Sequence, residues 1–236
     1  MKLRSKFLLI GAMLTINTAC TTIKTNELSA EEAVSLTDKT VVYSKYKSLP
    51  DFAAQTAVNV QFGLLGVATA ISNGNKMILT NDIEDPALEI SKQLADGLKV
   101  NHNVKVVEET DIFAQTNDLS ELLSLYQGYD YILDVKTLGW NSIYYTSDWD
   151  SYRVFYTAHA RLIDTGSKEV VVEVLCASTP EYEDTNQGPS YEELENGEGL
   201  RKELGRSVEF CVDHIRTVAM LKYQSEKKDL DVVMAE

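Results

Sequence analysis

The sequence predicts an α/β chain of the α+β kind, with a single mixed sheet of about five strands and helices packed mainly on one face. Three observations carry this. Three segments of period-2 alternation follow one another between Tyr131 and Ser178. Apolar stripes at helical spacing lie before and after them. At 236 residues and 44% hydrophobic composition, the chain has enough apolar mass for one core, so one domain plus tails is expected.

Taken in order, Thr40 to Tyr46 opens β-branched and alternates weakly, which predicts a strand. Pro50 then predicts a helix start, since proline is tolerated in a first turn. That helix would run towards Ile71 and end at the turn signal Ser72-Asn73-Gly74-Asn75. Its stretch 62–71 is apolar on all sides, which fits a helix that is buried, at an interface, or in a membrane. Gln55, Thr56, Asn59 and Gln61 argue against a spanning segment, and Gly63 and Gly66 allow close backbone approach. Asp85-Pro86 is a helix start, with Ala87, Ile90, Leu94 and Leu98 marking one face. Val104 to Val107 is a short strand. A helix capped by Asn117 or Asp118 runs through Tyr126 and closes at Gly128.

Of the three consecutive strands, the first puts Tyr131, Leu133 and Val135 on one face, with Asp134 and Lys136 opposite. The second has Val154, Tyr156, Ala158, Ala160 and Leu162 against Arg153, Thr157, His159 and Arg161. The third has Val170, Val172, Val174 and Cys176 against Glu169 and Glu173. Keeping both apolar sets on one face needs paired numbers with an even sum, hence an odd loop of three residues. Leu162 then pairs with Val170, His159 faces Glu173, and Tyr156 faces Cys176. The polar face Asp134, Lys136, Arg153, His159, Arg161 and Glu173 reads as cross-strand charge pairs on a solvated sheet. Residues 181–198 hold seven acids and no base and read as a flexible acidic loop. A last helix carries Leu204, Val208, Cys211, Ile215 and Val218 at spacings of 4, 3, 4 and 3.

The amino terminus has a different logic. Lys2, Arg4 and Lys6 precede an apolar run, Phe7 to Ile16, which leads to Asn17-Thr18-Ala19-Cys20. Charge, apolar run and small residues are the order of a secretory signal, and the run is too short to span about 30 Å of hydrocarbon. With a cysteine at the cut, this segment resembles a bacterial lipoprotein signal, although Asn17 stands where that family usually has Leu. The other reading is an ordinary signal with an incidental cysteine. The resemblance implies a signal peptide over 1–19 and lipidation of Cys20, with palmitate among the acyl chains. It further implies an outer-membrane anchor facing the periplasm, because Thr21, not Asp, follows. Residues 20–38 then read as a polar tether, 39–223 as the periplasmic domain and 224–236 as a charged tail.

Without the signal, 19 basic residues face 36 acids, a net charge of −17. So acidic a chain repels nucleic acid and anionic membrane surfaces. In an exported chain, Cys176 and Cys211 suggest one disulfide. Free thiols are the alternative, as is a metal site built on Cys211-x-x-His214 with His102 and His159.

The element order resembles the α/β domains of envelope lipoproteins, among them the curli-secretion lipoprotein, the penicillin-binding-protein activator lipoproteins and the amino-terminal domain of TolB. The strand pair Tyr152–Asp164 and Lys168–Ser178, followed by a helix, carries this likeness. Uncharacterised bacterial lipoproteins with a Gly-Leu-Leu-Gly helix and an Asp-Pro helix start are similar too, at Gly63 to Gly66 and Asp85-Pro86. These resemblances imply partner binding in envelope assembly or secretion, with no catalysis and no cofactor. They supply no binding residues.

The residues themselves hold no G-x-S-x-G, H-E-x-x-H, Walker loop or G-x-G-x-x-G. They do hold an aromatic concentration: ten of the chain's 20 aromatics lie between Tyr126 and Tyr156. Trp140, Tyr144, Tyr145 and Trp149 fall in the expected connection between two strands. There they form either a partner-binding face or a satellite core that folds the loop down. The expected partner is a protein of the envelope. The alternative is a glycan such as peptidoglycan on the aromatic loop 139–152.

Overall fold

The computed structural model describes residues 25–182 and 184–220. The signal segment 1–19, Cys20, the first tether residues and the 224–236 tail lie outside the described residues. The architecture is mixed α/β, with one open sheet of six strands. These are β1 (Thr40–Tyr43), β2 (Phe52–Gln55), β3 (Lys105–Val107), β4 (Tyr131–Tyr145), β5 (Asp148–Asp164) and β6 (Glu169–Ser178). The order is β3-β1-β4-β5-β6. β1 is parallel to both β3 and β4, whereas β4, β5 and β6 run antiparallel in succession. β2 pairs parallel with the far half of β4, so β1 and β2 lie end to end along one edge of that strand.

The helices are α1 (Ala30–Ser35), α2 (Gly63–Thr80), α3 (Pro86–His102), α4 (Leu119–Leu125), α5 (Tyr191–Glu195) and α6 (Glu198–Ile215). Helices α2, α3 and α6 cover one face, where Phe52, Ile90, Leu94, Leu133, Tyr156, Val172 and Val208 share the main core. α3 starts as expected: the Asp85 carboxylate accepts from the Ala87 N–H at 3.0 Å, and Pro86 fills the first position. On the other face, Leu122 of α4 packs with Val42, Ala114, Tyr126, Ile132 and Ile163. Cys176 of β6 and Cys211 of α6 are joined by a disulfide with a Cα–Cα distance of 5.6 Å, tying sheet to helix.

Several expectations change. Pro50 leads not into a helix but into β2, whose Phe52 and Ala54 point into the core. The Ser72-Asn73-Gly74-Asn75 turn signal sits inside α2. Gly74 serves close approach there: a Cβ would lie 2.1 Å from the Phe52 carbonyl oxygen. Asn75 faces the same strand, accepting from the Phe52 N–H at 2.9 Å.

The β5–β6 loop holds four residues, 165–168, not three. An even loop would turn the β6 core residues outward. A bulge between Leu162↔Val172 and Ile163↔Val170 leaves Val171 as the extra residue and restores the face. Leu162 therefore pairs with Val172, Arg161 with Glu173 and Ala158 with Cys176.

The expected tether is largely part of the domain. Asn26 bridges to Glu173 on β6, Ser29 caps α1 in a capping box, and Leu36 is fully buried. The acidic loop is also ordered. A 3-10 turn at Thr185–Gln187 precedes α5, whose Leu194 is buried.

Close packing of α2 on β2 makes a prediction. Gly74→Ala should destabilise the domain by about 1–3 kcal/mol through overpacking. Gly205→Ala, where a Cβ meets open space on α6, should stabilise it by about 0.5–1 kcal/mol. Urea midpoints of the two variants check this, and equal shifts would refute the packing.

Candidate functional site

The polar sheet face is only partly solvated: Asp134, His159 and Arg161 are buried, and Lys136, Arg153 and Glu173 are half-buried. Asp134 and Arg161 pair directly across β4 and β5, and both are buried. Arg161 Nη2 and Nε donate to Asp134 Oδ2 at 2.6 and 3.0 Å. Asp134 Oδ1 accepts from Ser44 Oγ and Tyr46 Oη, each at 2.6 Å. Arg161 Nη2 also donates to the Asn117 carbonyl at 2.7 Å. The cover comes from the strand-like pairing of 45–47 with Ala114 and from α4, which the period-2 pattern does not reveal. Burial, followed by the Asp134 carboxylate, pushes the Tyr46 hydroxyl far above the usual tyrosine range, so it stays a donor. Both carboxylate oxygens of Asp134 are engaged, so the cluster clamps two layers together. His159 does meet Glu173, with Nε2 to Oε1 at 2.8 Å, but as a diagonal neighbour.

The four aromatics expected in a loop sit on strands, because β4 and β5 run on to a two-residue turn at Thr146-Ser147. A register shift between Thr137 and Gly139 swaps the faces and sends Trp140 into the core. Trp140 is 4% exposed, donates from Nε1 to the Pro50 carbonyl at 2.9 Å, and stands edge-on to Phe52. It is therefore no partner-binding residue. Tyr144 is half-buried and edge-on to Trp149. Tyr145 is half-buried on the opposite face, with the Arg153 guanidinium 4.7 Å over its ring and Tyr182 beside it. Trp149 alone is open, at 60% exposure.

The larger exposed surface lies on the apolar stretch. α2 turns small residues inward, with Gly66, Ala70 and Gly74 buried at four-residue intervals. Gly66 lies so close to Asn59 that a Cβ would stand 1.7 Å from its carbonyl oxygen. Asn59 is itself fixed, donating from Nδ2 to the Ala54 carbonyl at 3.0 Å and accepting from the Thr56 N–H at 2.8 Å. Over the first half of the helix the large side chains consequently point out, whereas Met77 and Ile78 are buried further along. Leu64 is 89% and Leu65 77% exposed, and Val58, Val60, Phe62 and Val67 are exposed around them. No charged residue occurs from 52 to 75. Since Gln55 pairs with Ile143, the turn that follows β2 leaves the sheet at the end where Tyr144 and Trp149 lie. The sequence marked this run as apolar on every side. The signal for its inverted orientation was the spacing of Gly66, Ala70 and Gly74.

Two further features are built from the same helices. A groove of about 390 Å³ runs between the start of α3 and α6, lined by Ile83, Pro86, Leu204 and Val208 under Glu84, Glu89 and Arg201. Burial raises the Asp85 carboxyl at its edge, and hydrogen bonds from Thr137 and Ala87 oppose that rise. Cys211 is spent in the disulfide and the His214 ring stacks on Phe210, which removes the C-x-x-H reading. Among the described residues, no group of three or more His, Cys, Asp or Glu could hold a metal, and no helix is long and apolar enough to cross a membrane.

No family model and no curated protein matches the chain. Solved structures do resemble it, bacterial lipoproteins among them. The PelC dodecamer from Paraburkholderia phytofirmans aligns at 14% identity and a TM-score of 0.38, covering 84% of this chain and 97% of that one. Lipoprotein GNA1162 from Neisseria meningitidis aligns at 10% identity and 0.34, covering 76% and 99%. An uncharacterized lipoprotein B from Nitrosomonas europaea aligns at 13% identity and 0.30, covering 78% and 86%. Likenesses of this size transfer no partner or site residue.

The buried pair makes its own prediction. Asp134→Leu leaves Arg161 uncompensated and should cost about 3–5 kcal/mol, whereas the double change Asp134→Leu with Arg161→Met should cost clearly less. Denaturant unfolding measures both. With Arg161→Met measured alone as well, a double-mutant loss equal to the sum of the two single losses would mean the two charges do not depend on each other.

Proposed function

We propose that this chain is a non-enzymatic lipoprotein, anchored to the outer membrane through acyl chains on Cys20. Its periplasm-facing domain binds a protein partner in envelope assembly or secretion. The observation that carries the binding reading is the outward apolar face of α2. Single exposed apolar side chains are ordinary, but a contiguous group of this size marks an interaction surface. The anchoring rests on the Met1–Cys20 sequence, where basic residues, an apolar run and a cysteine stand in the order of a lipoprotein signal. Trp149 extends the surface at the same end of the sheet, and a Trp with one ring edge held by Tyr144 suits an interface anchor.

A glycan partner is the second reading, favoured by Trp149 and Tyr144 alone. With Trp140 in the core, it keeps one open stacking platform.

Two experiments test these readings. Wild-type protein should label with palmitate and partition with membranes, and Cys20→Ser should abolish the labelling. An unlabelled, soluble wild-type protein would refute the anchor. Leu64→Glu, Leu65→Glu and Trp149→Ala should each reduce capture of the protein partner about thirtyfold, the loss at which an interface residue counts as a hot spot. Their unfolding midpoints should stay within about 0.5 kcal/mol of wild type, because these side chains fill no core. Unchanged capture would refute the surface, and retention by purified peptidoglycan that depends on Trp149 would favour the glycan.

A further inference from the structure

The outward face of α2 has properties that discriminate between a membrane, an unrelated protein and a second copy. The first is charge. The chain carries a net −14, so two copies repel one another at most approaches. The stretch 52–75 carries no charge, and it is where two copies can touch without opposing like charges or burying an unpaired ion.

The second property is extent. Val58, Val60, Phe62, Leu64, Leu65 and Val67 are between 42% and 89% exposed. Together they offer apolar surface on the order of several hundred Å², comparable to the ~300–600 Å² of the largest, often functional, patch on a typical monomer. That approaches the ~800 Å² which each partner of a standard interface buries.

The third is shape. Beyond the two leucines, the outer side of α2 carries the small exposed residues Ala68, Thr69 and Ser72. They leave a shallow strip into which the leucines of a second helix fit, at an interaxial distance of about 8 Å. With leucines at one end, small residues in the middle and exposed Lys76 and Leu79 at the other, the face meets its own copy reversed about a two-fold axis, the Lys76 stem lying along the mate helix with its ammonium at the rim. Reversal also sets the positive end of each helix dipole near the negative end of the other.

Charge argues against lipid as well, because a chain of net −14 is repelled by anionic membrane surfaces.

We infer that this face is the interface through which two copies of the chain associate, α2 packing antiparallel on α2 of its mate. The inference rests on the partner-surface reading above and names the occupant of that same site.

The test is site-specific photo-crosslinking in intact cells expressing the full chain, with benzoylphenylalanine at Leu65, at Thr69, or at Val100 on α3 as an exposed control. The Leu65 and Thr69 probes should give an adduct of two copies, joined within 60–76 of each by peptide mass spectrometry. The Val100 probe should not. Leu64→Glu in the same chain should lower the adduct about tenfold. An adduct between Leu65 and a different protein would overturn the homotypic inference and leave the partner surface standing. No adduct, a lipid adduct, or one confined to a single chain would overturn both. A two-copy adduct equally strong from Val100, or insensitive to Leu64→Glu, would overturn the inference as well.

Discussion

One edge of β4 must satisfy two different strands in succession. β1 pairs with it over Tyr131–Leu133 and β2 over Trp140–Ile143. Buried backbone donors and acceptors need partners along the whole strand, so both short strands are required. Between them the chain leaves the sheet over residues 44–51, and the irregularity at Gly139 lies in the same interval of β4. That shift changes which side chains face the helices. Val135 points into the core before it, and Trp140 and Ser142 are buried after it. The placement of β2 then decides where α2 can lie, because α2 packs on β2 through Gly74 and Asn75. The long hairpin, the buried tryptophan and the outward leucines all follow from this shared edge.

α2 inverts the usual amphipathic helix. An ordinary surface helix buries its large apolar side chains and exposes small or charged ones. Here glycines and alanine contact the strand beneath, and leucine, valine and phenylalanine face outward. The helix gains dispersion contacts from close backbone approach instead of side-chain volume. Large side chains enter the core only near its carboxyl end, at Met77 and Ile78, and its outer face is free to bind without disturbing that core.

Much of the fold was legible because its signals are local. Asp85-Pro86 announces α3, and the spacing of Leu204, Val208, Cys211 and Ile215 announces α6. Cys176 and Cys211 lie on the core faces of their elements and are joined. Other features depend on tertiary context. β2 is four residues long with two alanines, too short and too weakly patterned to outweigh the helix signal of Pro50. The register of β5 and β6 turns on a bulge at Val171, which a uniform alternation cannot report. Asp134 and Arg161 on the polar sheet face are buried because a loop and α4 lie over them, and nothing in their own strands encodes that cover. Trp140 was misplaced with it, since an aromatic run reads alike whether it is wet or dry.

The docking of the amino-terminal segment sets a mechanical limit. Asn26 hydrogen-bonds to the β6 backbone at Glu173, and Leu28 donates its N–H to the Ala219 carbonyl. Five residues lie between Asn26 and Cys20, the proposed point of attachment. Fully extended, that leash reaches about 20 Å, less than the width of a domain of this size. If Cys20 is that point, a body held so short would sample a thin layer beside its leaflet and could not swing across a wide compartment. Its encounters would become nearly two-dimensional: molecules confined to the same layer would meet it at high effective concentration, and anything distant would have to come to it.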